Sequence, residues 1–302
     1  MNIKKIIVVG SCNTDMVVKA ERLPVPGETI LGGTFLMNAG GKGANQAVAV
    51  SRLGGAVAFI CKTGNDLFGR QSVELFRNEG VNTEYVFNDE ELPSGVALIT
   101  VDSKGENCIV VASGANASLS PADINKAKDV IVSAGIVLMQ LETPIETVEF
   151  VAKLASSHGV KVILNPAPAR SISNELLSYL YMIIPNKSEA EILSGISVTN
   201  WETAKKAAEV IGQKGVDIVV ITLGSMGALI RHGEEYIEVK AFEVEAVDTT
   251  AAGDTFCGAL CVALSEEMGI REAVEFACKA SSITVTRMGA QSSIPFRKEL
   301  IF

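Results

Sequence analysis

The chain has 302 residues, 48% of them apolar and 20% charged, enough to bury a large core without disulfides or a structural metal. Its formal net charge of −9 argues against a nucleic-acid or anionic-membrane surface, since both want a basic face. The six cysteines (Cys12, Cys61, Cys108, Cys257, Cys261 and Cys278) form no Cys-x-x-Cys pair, and His158 and His232 are the only histidines, which argues against tetrahedral zinc. Scattered cysteines in a chain of this size read as small buried residues of a reducing cytoplasm.

In chain order, Lys4 and Lys5 precede the apolar run Ile6–Val9, which stops at Gly10, short of a signal-peptide core. The run is predicted as a first strand. Segments 57–61, 136–140, Lys161–Leu164, 182–184 and Ile218–Thr222 are similar short apolar or β-branched runs, the signature of strands buried on both faces. Between them lie amphipathic stretches predicted as helices: 68–79 closed by Gly80, 145–157 closed by Gly159 and 201–214 closed by Gly215. Further helices are expected over 254–267 and 270–286. Strand–helix–strand repetition predicts a doubly wound α/β fold with a mainly parallel sheet and helices on both faces. No apolar stretch reaches the length of a membrane span.

Two stretches break the rhythm. Segment 15–38 carries Pro24, Pro26, Gly27, Gly32 and Gly33, and segment 92–111 reads as a hairpin about the turn Asp102-Ser103-Lys104-Gly105. Together they suggest a small antiparallel sheet inserted in the α/β body. It is either a lid or an edge hairpin of the main sheet.

Five segments carry chemistry. In Asp248-Thr249-Thr250-Ala251-Ala252-Gly253-Asp254, small residues lead into a helix start, whose unpaired N–H groups and dipole make an anion site. Asp254 there is either an N-cap or a general base beside that site. Gly40-Gly41-Lys42-Gly43-Ala44-Asn45-Gln46 opens a helix with a ligand-facing turn, or with glycines needed only for packing. It matches neither a P-loop nor a dinucleotide fingerprint. Ser11-Cys12-Asn13-Thr14-Asp15 follows the first strand, where open sheets bind ligands, so Asn13 and Asp15 offer acceptors to a polyol or form an Asx-turn. Asn186 and Glu189 share one helical face and either order the water shell of Mg²⁺ or form a capping pair. The turn Thr222-Leu223-Gly224-Ser225-Met226-Gly227 wraps a nucleotide phosphate or closes a plain hairpin.

In this order the segments resemble the ribokinase family of sugar kinases, also called the phosphofructokinase-B family, over essentially the whole chain. Pro24-x-Pro26-Gly27-Glu28, Met139-Gln140-Leu141-Glu142, Leu164-Asn165-Pro166-Ala167-Pro168 and Thr286-Arg287-x-Gly289-Ala290-Gln291 add to the likeness. The resemblance implies one α/β domain over 1–302 with a β lid from about 15–38 and 92–111, and phosphoryl transfer from Mg²⁺-ATP to D-ribose. It implies Asp254 as base and Ala251, Ala252 and Gly253 as the anion hole. Asn13, Asp15, Gly41, Lys42, Asn45 and Glu142 would hold the sugar. Asn186, Thr222, Gly224, Ser225, Gly227, Gly253 and Cys278 would hold ATP, with Glu189 near the Mg²⁺ waters. Asp248, Thr250, Thr284, Arg287, Gly289 and Ser293 would line a K⁺ site, several through backbone carbonyls. The lid would pair two copies into a homodimer. Ala251 stands where the family often has Gly, Cys278 where His or Asn is expected, and Ser292 where Pro is commoner. Another small-sugar or nucleoside kinase, such as a deoxyribokinase, and a catalytically silent sugar-binding protein stay open as alternatives. A nucleobase would want an aromatic wall, and the lid region offers Phe35 and Met37 but little else aromatic, which disfavours a nucleoside kinase.

Overall fold

Short strands that are apolar on both faces must be covered on both sides, and the computed structural model, which describes residues 4–300, shows how. Its strands are β1 (Ile6–Val9), β2 (Asn13–Lys19), β3 (Thr34–Gly40), β4 (Val57–Gly64), β5 (Val86–Asp89), β6 (Gly95–Val101) and β7 (Asn107–Ala112), followed by β8 (Ile136–Met139), β9 (Lys161–Leu164), β10 (Met182–Ile183), β11 (Ile218–Thr222), β12 (Ala228–His232) and β13 (Glu235–Val239). Nine of them form one sheet in the order β13-β12-β11-β10-β9-β8-β1-β4-β5, parallel from β11 to β5. Alternate side chains divide the core. Ile6, Val8, Phe59, Leu138 and Val220 pack with the helices Lys42–Arg52, Ala252–Ser265 and Ile270–Thr284. Ile7, Val9, Ile60, Val137 and Val219 pack with the helices Ile145–Ser156 and Trp201–Gly212. All six expected strands and the five expected helices are present, with ends moved by a few residues.

β12 answers the hairpin reading of the Thr222–Gly227 turn, and β13 was not anticipated. β12 extends the sheet antiparallel to β11 and β13 antiparallel to β12, and their shared turn end, at His232 and Glu235, is polar and exposed. In β12 the apolar run buried on both faces lasts only from Ala228 to Ile230, and β13, at the sheet edge, is mostly exposed, so neither shows the longer apolar run of its neighbours.

β2, β3, β6 and β7 make a separate four-stranded sheet in the order β3-β2-β6-β7, so segments 15–38 and 92–111 do not join the main sheet. The expectation of a purely antiparallel small sheet is corrected: β2 and β6 run parallel, Asn13 beside Gly95 through Lys19 beside Val101. Both hairpins leave the body with their first strand outward, and those first strands are the ones that meet. Asn13, Asp15, Ala97, Ile99, Ile109 and Val111 share one face, and Met16, Phe35, Met37, Leu98 and Val110 the other. No helix among the described residues is long and apolar enough to cross a membrane.

Candidate active site

The parallel strands end at one edge of the sheet, so the segments beyond β1, β8, β9, β10 and β11 converge there. The turn before the helix Lys42–Arg52 fits against the segment after β1 with no room to spare. Gly41 has φ 89°, and a Cβ on it would lie 2.8 Å from Asn13 N and 2.9 Å from Ser11 O. Gly43 approaches as closely, since a Cβ there would lie 2.7 Å from Gly10 Cα. These glycines let the Lys42 N–H donate to Glu142 Oε2 at 3.1 Å, while the Ser11 hydroxyl donates to the same oxygen at 2.5 Å. The Lys42 ammonium stands 4.0 Å from Glu142 Oε1. Burial disfavours that charge, but Asp254 and Glu142 outweigh it and raise the Lys42 pKa.

Asp254 is not an N-cap. The cap position of the helix Ala252–Ser265 is Ala251, and the Asp254 carboxylate is buried and turned inward. Its Oδ2 accepts from Asn45 Nδ2 at 2.9 Å and its Oδ1 from Gln46 Nε2 at 3.0 Å. Gln46 is held in turn by Asn165 at 3.1 Å and by Gln140 at 2.5 Å. Burial raises the Asp254 pKa, opposed by Lys42 and by the Asn45 and Gln46 hydrogen bonds. Asp15 faces the same centre, and burial, with Glu142 and Asp254 adding repulsion, pushes its carboxyl up to about 6. Gln46, Gln140, Asn165 and Ser11 carried no role in the sequence reading. For Gln140 and Asn165 the signal is a polar residue directly beyond the apolar end of a strand, Ile136–Met139 and Lys161–Leu164, and Gln46, inside a helix, has no such signal.

On the other side of Asp254 lies a cavity of about 500 Å³, lined by Thr222, Gly224, Ser225, Gly227, Ala252, Gly253 and Cys278 among others. Ala251 enters the helix in the left-handed region, with φ 58° and ψ 8°, and offers no side-chain cap. Among the described residues, no acceptor meets the N–H of Gly253. The Thr222–Gly227 turn both closes the β11–β12 hairpin and lines this cavity. Cys278 is buried at its wall, its thiol pushed up to about 12 by burial. Asn186 and Glu189 do form a capping pair: the Glu189 carboxylate accepts from the Asn186 N–H and Nδ2, both at 2.8 Å. Burial raises the Glu189 pKa, and its electrostatic coupling to Lys42 and Asp254 places it at the edge of the same centre.

The residues expected to hold a monovalent cation fall around one loop. Asp248 Oδ1 accepts from the Thr250 N–H at 2.9 Å and hydroxyl at 2.6 Å, and Oδ2 from the Gly289 N–H at 2.8 Å. Burial pushes the Asp248 pKa up, but these hydrogen bonds prevail and hold it below the usual carboxylate range. Arg287 turns away and pairs with Glu299 at 2.5 Å, so no cationic side chain pairs with Asp248 among the described residues. The hydroxyl of Thr284 donates inward to Thr255 at 3.0 Å and that of Ser293 to Ala290 O at 2.7 Å. The charge of Lys19 also lowers the Asp248 pKa without forming an ion pair with it.

Residues 3–297 match the pfkB family carbohydrate kinase model, and the chain belongs to that family. The ribokinase of Haemophilus influenzae is 46% identical over 299 residues, covering 99% of this chain and 97% of the relative. A solved ribokinase of Thermotoga maritima is 40% identical, with a TM-score of 0.91 and 98% of each chain covered. A ribokinase structure from Arabidopsis thaliana, complexed with ribose and ATP, is 36% identical with a TM-score of 0.92, covering 98% of this chain and 97% of that one.

Proposed function

We propose that this chain transfers the γ-phosphoryl group of ATP to the 5-hydroxyl of D-ribose. The observation that carries this reading is the position of Asp254, whose carboxylate joins the Asn13–Asp15–Lys42–Glu142 cluster while Gly253 beside it lines the large cavity. Asp254 takes the proton of the attacking hydroxyl, and the amide donors on its two oxygens aim it. The N–H groups at the start of the helix Ala252–Ser265 receive the transferring phosphoryl oxygens. Phosphoryl transfer asks for positioning and charge stabilisation rather than covalent chemistry, and this edge of the sheet supplies both.

Asn13, Asp15, Gly41, Lys42, Asn45 and Glu142 hold the sugar. Asn186, Thr222, Gly224, Ser225, Gly227 and Cys278 line the nucleotide side, with Glu189 beside the water shell of the Mg²⁺ that accompanies ATP and neutralises its phosphates. Asp248, Thr250, Thr284, Arg287, Gly289 and Ser293 form the loop that takes K⁺. The four-stranded sheet closes over the sugar with its Asp15 face, and its opposite apolar face joins a second copy. The whole of 1–302 acts as one catalytic unit in the cytoplasm. An ADP-formation assay over a panel of pentoses, hexoses and nucleosides tests the reading. Fastest turnover on ribose supports it, and no turnover on any sugar overturns it.

A further inference from the structure

Asn116 lies in the 3-10 turn Gly114–Ser118 beyond β7 and is buried. Its carboxamide is fixed by main-chain groups whose polarity is not open to choice. The Cys12 N–H donates to Asn116 Oδ1 at 2.8 Å, and Asn116 Nδ2 donates to Cys12 O at 3.0 Å. The same Nδ2 donates to Asn13 Oδ1 at 2.8 Å. The main chain of Cys12 thereby decides which way Asn116 faces, and Asn116 decides which way Asn13 faces. Side-chain amides are otherwise free to turn over, so this relay removes an ambiguity that sequence alone leaves.

Its consequence adds a donor to the acceptor expected of Asn13. The Asn13 oxygen is already engaged. Its Nδ2 has no acceptor among the described residues, and Asn13 lines a cavity of about 420 Å³ shared with Ser11, Asn116 and Glu142. Asp15, two residues along β2 and on the same face, supplies only acceptors while ionised. We infer that Asn116 is a positioning residue for sugar recognition: it locks Asn13 as a hydrogen-bond donor, so that Asn13 and Asp15 present a donor and an acceptor to neighbouring hydroxyls of a polyol. Gly95 makes room for the relay. It lies opposite Asn13 in the β2–β6 register, and a Cβ on it would overlap both Asn116 Nδ2 and Asn13 Oδ1.

This inference rests on the sugar-kinase reading, and the test separates the two. The parent protein is first assayed on the sugar panel, and the variants are then measured on whichever sugar it phosphorylates fastest. Asn116→Asp has the same shape, still accepts from Cys12 N–H and cannot donate to Asn13, whose carboxamide then turns over. The sugar KM is expected to rise about tenfold, the worth of one hydrogen bond, with kcat and the ATP KM within about threefold. Gly95→Ala, which wedges the pair apart and alters neither partner, should raise the same KM. In an Asn13→Ala background neither substitution should raise it further, because the residue through which they act is gone. A full additional rise in that background would mean that Asn116 merely braces the fold, and would overturn the inference whichever sugar is used. A best substrate other than ribose would overturn the choice of sugar above and leave the relay standing. No turnover on any sugar would overturn both.

Discussion

Asn45 Nδ2 donates to Asp254 Oδ2 at 2.9 Å, while the oxygen of the same carboxamide is buried and meets no donor among the described residues. The helix opened by the Gly41 turn thus aims a carboxylate 209 residues further along the chain. The spare oxygen also makes a clean experiment. In Asp254→Asn the new amide needs an acceptor, and Asn45 supplies one by turning over. The variant should fold and bind ribose within about threefold of the parent, while kcat falls at least about 10²-fold for want of a base. Turnover within a few-fold of the parent at saturating substrate would remove Asp254 as the base.

Asp15 links stability to pH. Its carboxyl ionises near its ordinary 3.8 in the unfolded chain and at about 6 in the folded one. The folded state therefore holds more protons in that window, and stability falls as pH rises through it. Asp15→Asn should be indistinguishable in stability at about pH 3 and more stable by about 1–3 kcal/mol near pH 7, read as a melting-temperature difference that grows with pH. Sugar binding should weaken in the same variant, since the charge that costs stability is the acceptor a hydroxyl needs. A difference independent of pH would show that Asp15 is not perturbed.

The donor on Asn13 and the acceptor on Asp15 also bear on sugar choice. A site built to pair a hydroxyl leaves its own polar groups unpaired when that hydroxyl is missing. The specificity constant for 2-deoxyribose should therefore fall about tenfold or more below that for ribose. Equal constants measured side by side would place the 2-hydroxyl elsewhere.

Particular residues show what the sequence could say. Val57 to Cys61 and Ile218 to Thr222 are apolar on both faces, so their strands declared themselves. Leu229, Arg231, Tyr236 and Glu238 mix apolar and polar side chains, so β12 was open only as the return arm of a hairpin and β13 was not evident. Asn45 and Asp254 could be named as a motif, but the bond between them could not, because nothing local to either segment encodes a partner so distant in the chain. The Asp254 N-cap reading failed for a physical reason. Ala251 takes the cap position in a left-handed conformation, which moves Asp254 into the first turn and frees its carboxylate to face inward. The pairing of Asn186 with Glu189 lies within one helical turn, and there the local spacing was sufficient.

The outer face of the small sheet exposes Phe35 at 60%, Met37 at 49%, Leu98 at 55% and Val110 at 67%. A small sheet with such a face is poorly stable alone and gains by pairing. The chain is expected to sediment as a dimer at micromolar concentration, and Val110→Lys, which buries a charge in that face, should yield monomer. A monomeric parent would count against pairing through this sheet.

Potassium gives the most discriminating test of the loop beyond the anion hole. Asp248 holds the Thr250 N–H and hydroxyl on one oxygen and the Gly289 N–H on the other, joining the approach to the helix Ala252–Ser265 to the turn that follows the helix Ile270–Thr284. Ser281 adds a second link by donating to Ala252 O at 2.9 Å. Whatever orders Asp248 therefore orders the N–H groups two and three residues beyond Thr250. Had Arg287 paired with Asp248, the charge would be satisfied and ionic identity would not matter, but Arg287 pairs with Glu299. A large monovalent ion takes many weak oxygen contacts rather than a tight octahedron, and the Asp248 carboxylate would supply one of them. The ion would touch neither substrate. Its effect would be to hold the anion hole in place before reaction, and donors held in place are what stabilise charge in the transition state. Potassium is accordingly expected to raise kcat several-fold over sodium at matched ionic strength and fixed Mg²⁺-ATP, with the ribose KM little changed. Asp248→Ala should lower turnover and abolish the difference between the salts. Equal rates for the parent in both salts would remove the cation from this loop, and a potassium effect that survives Asp248→Ala would move its site elsewhere.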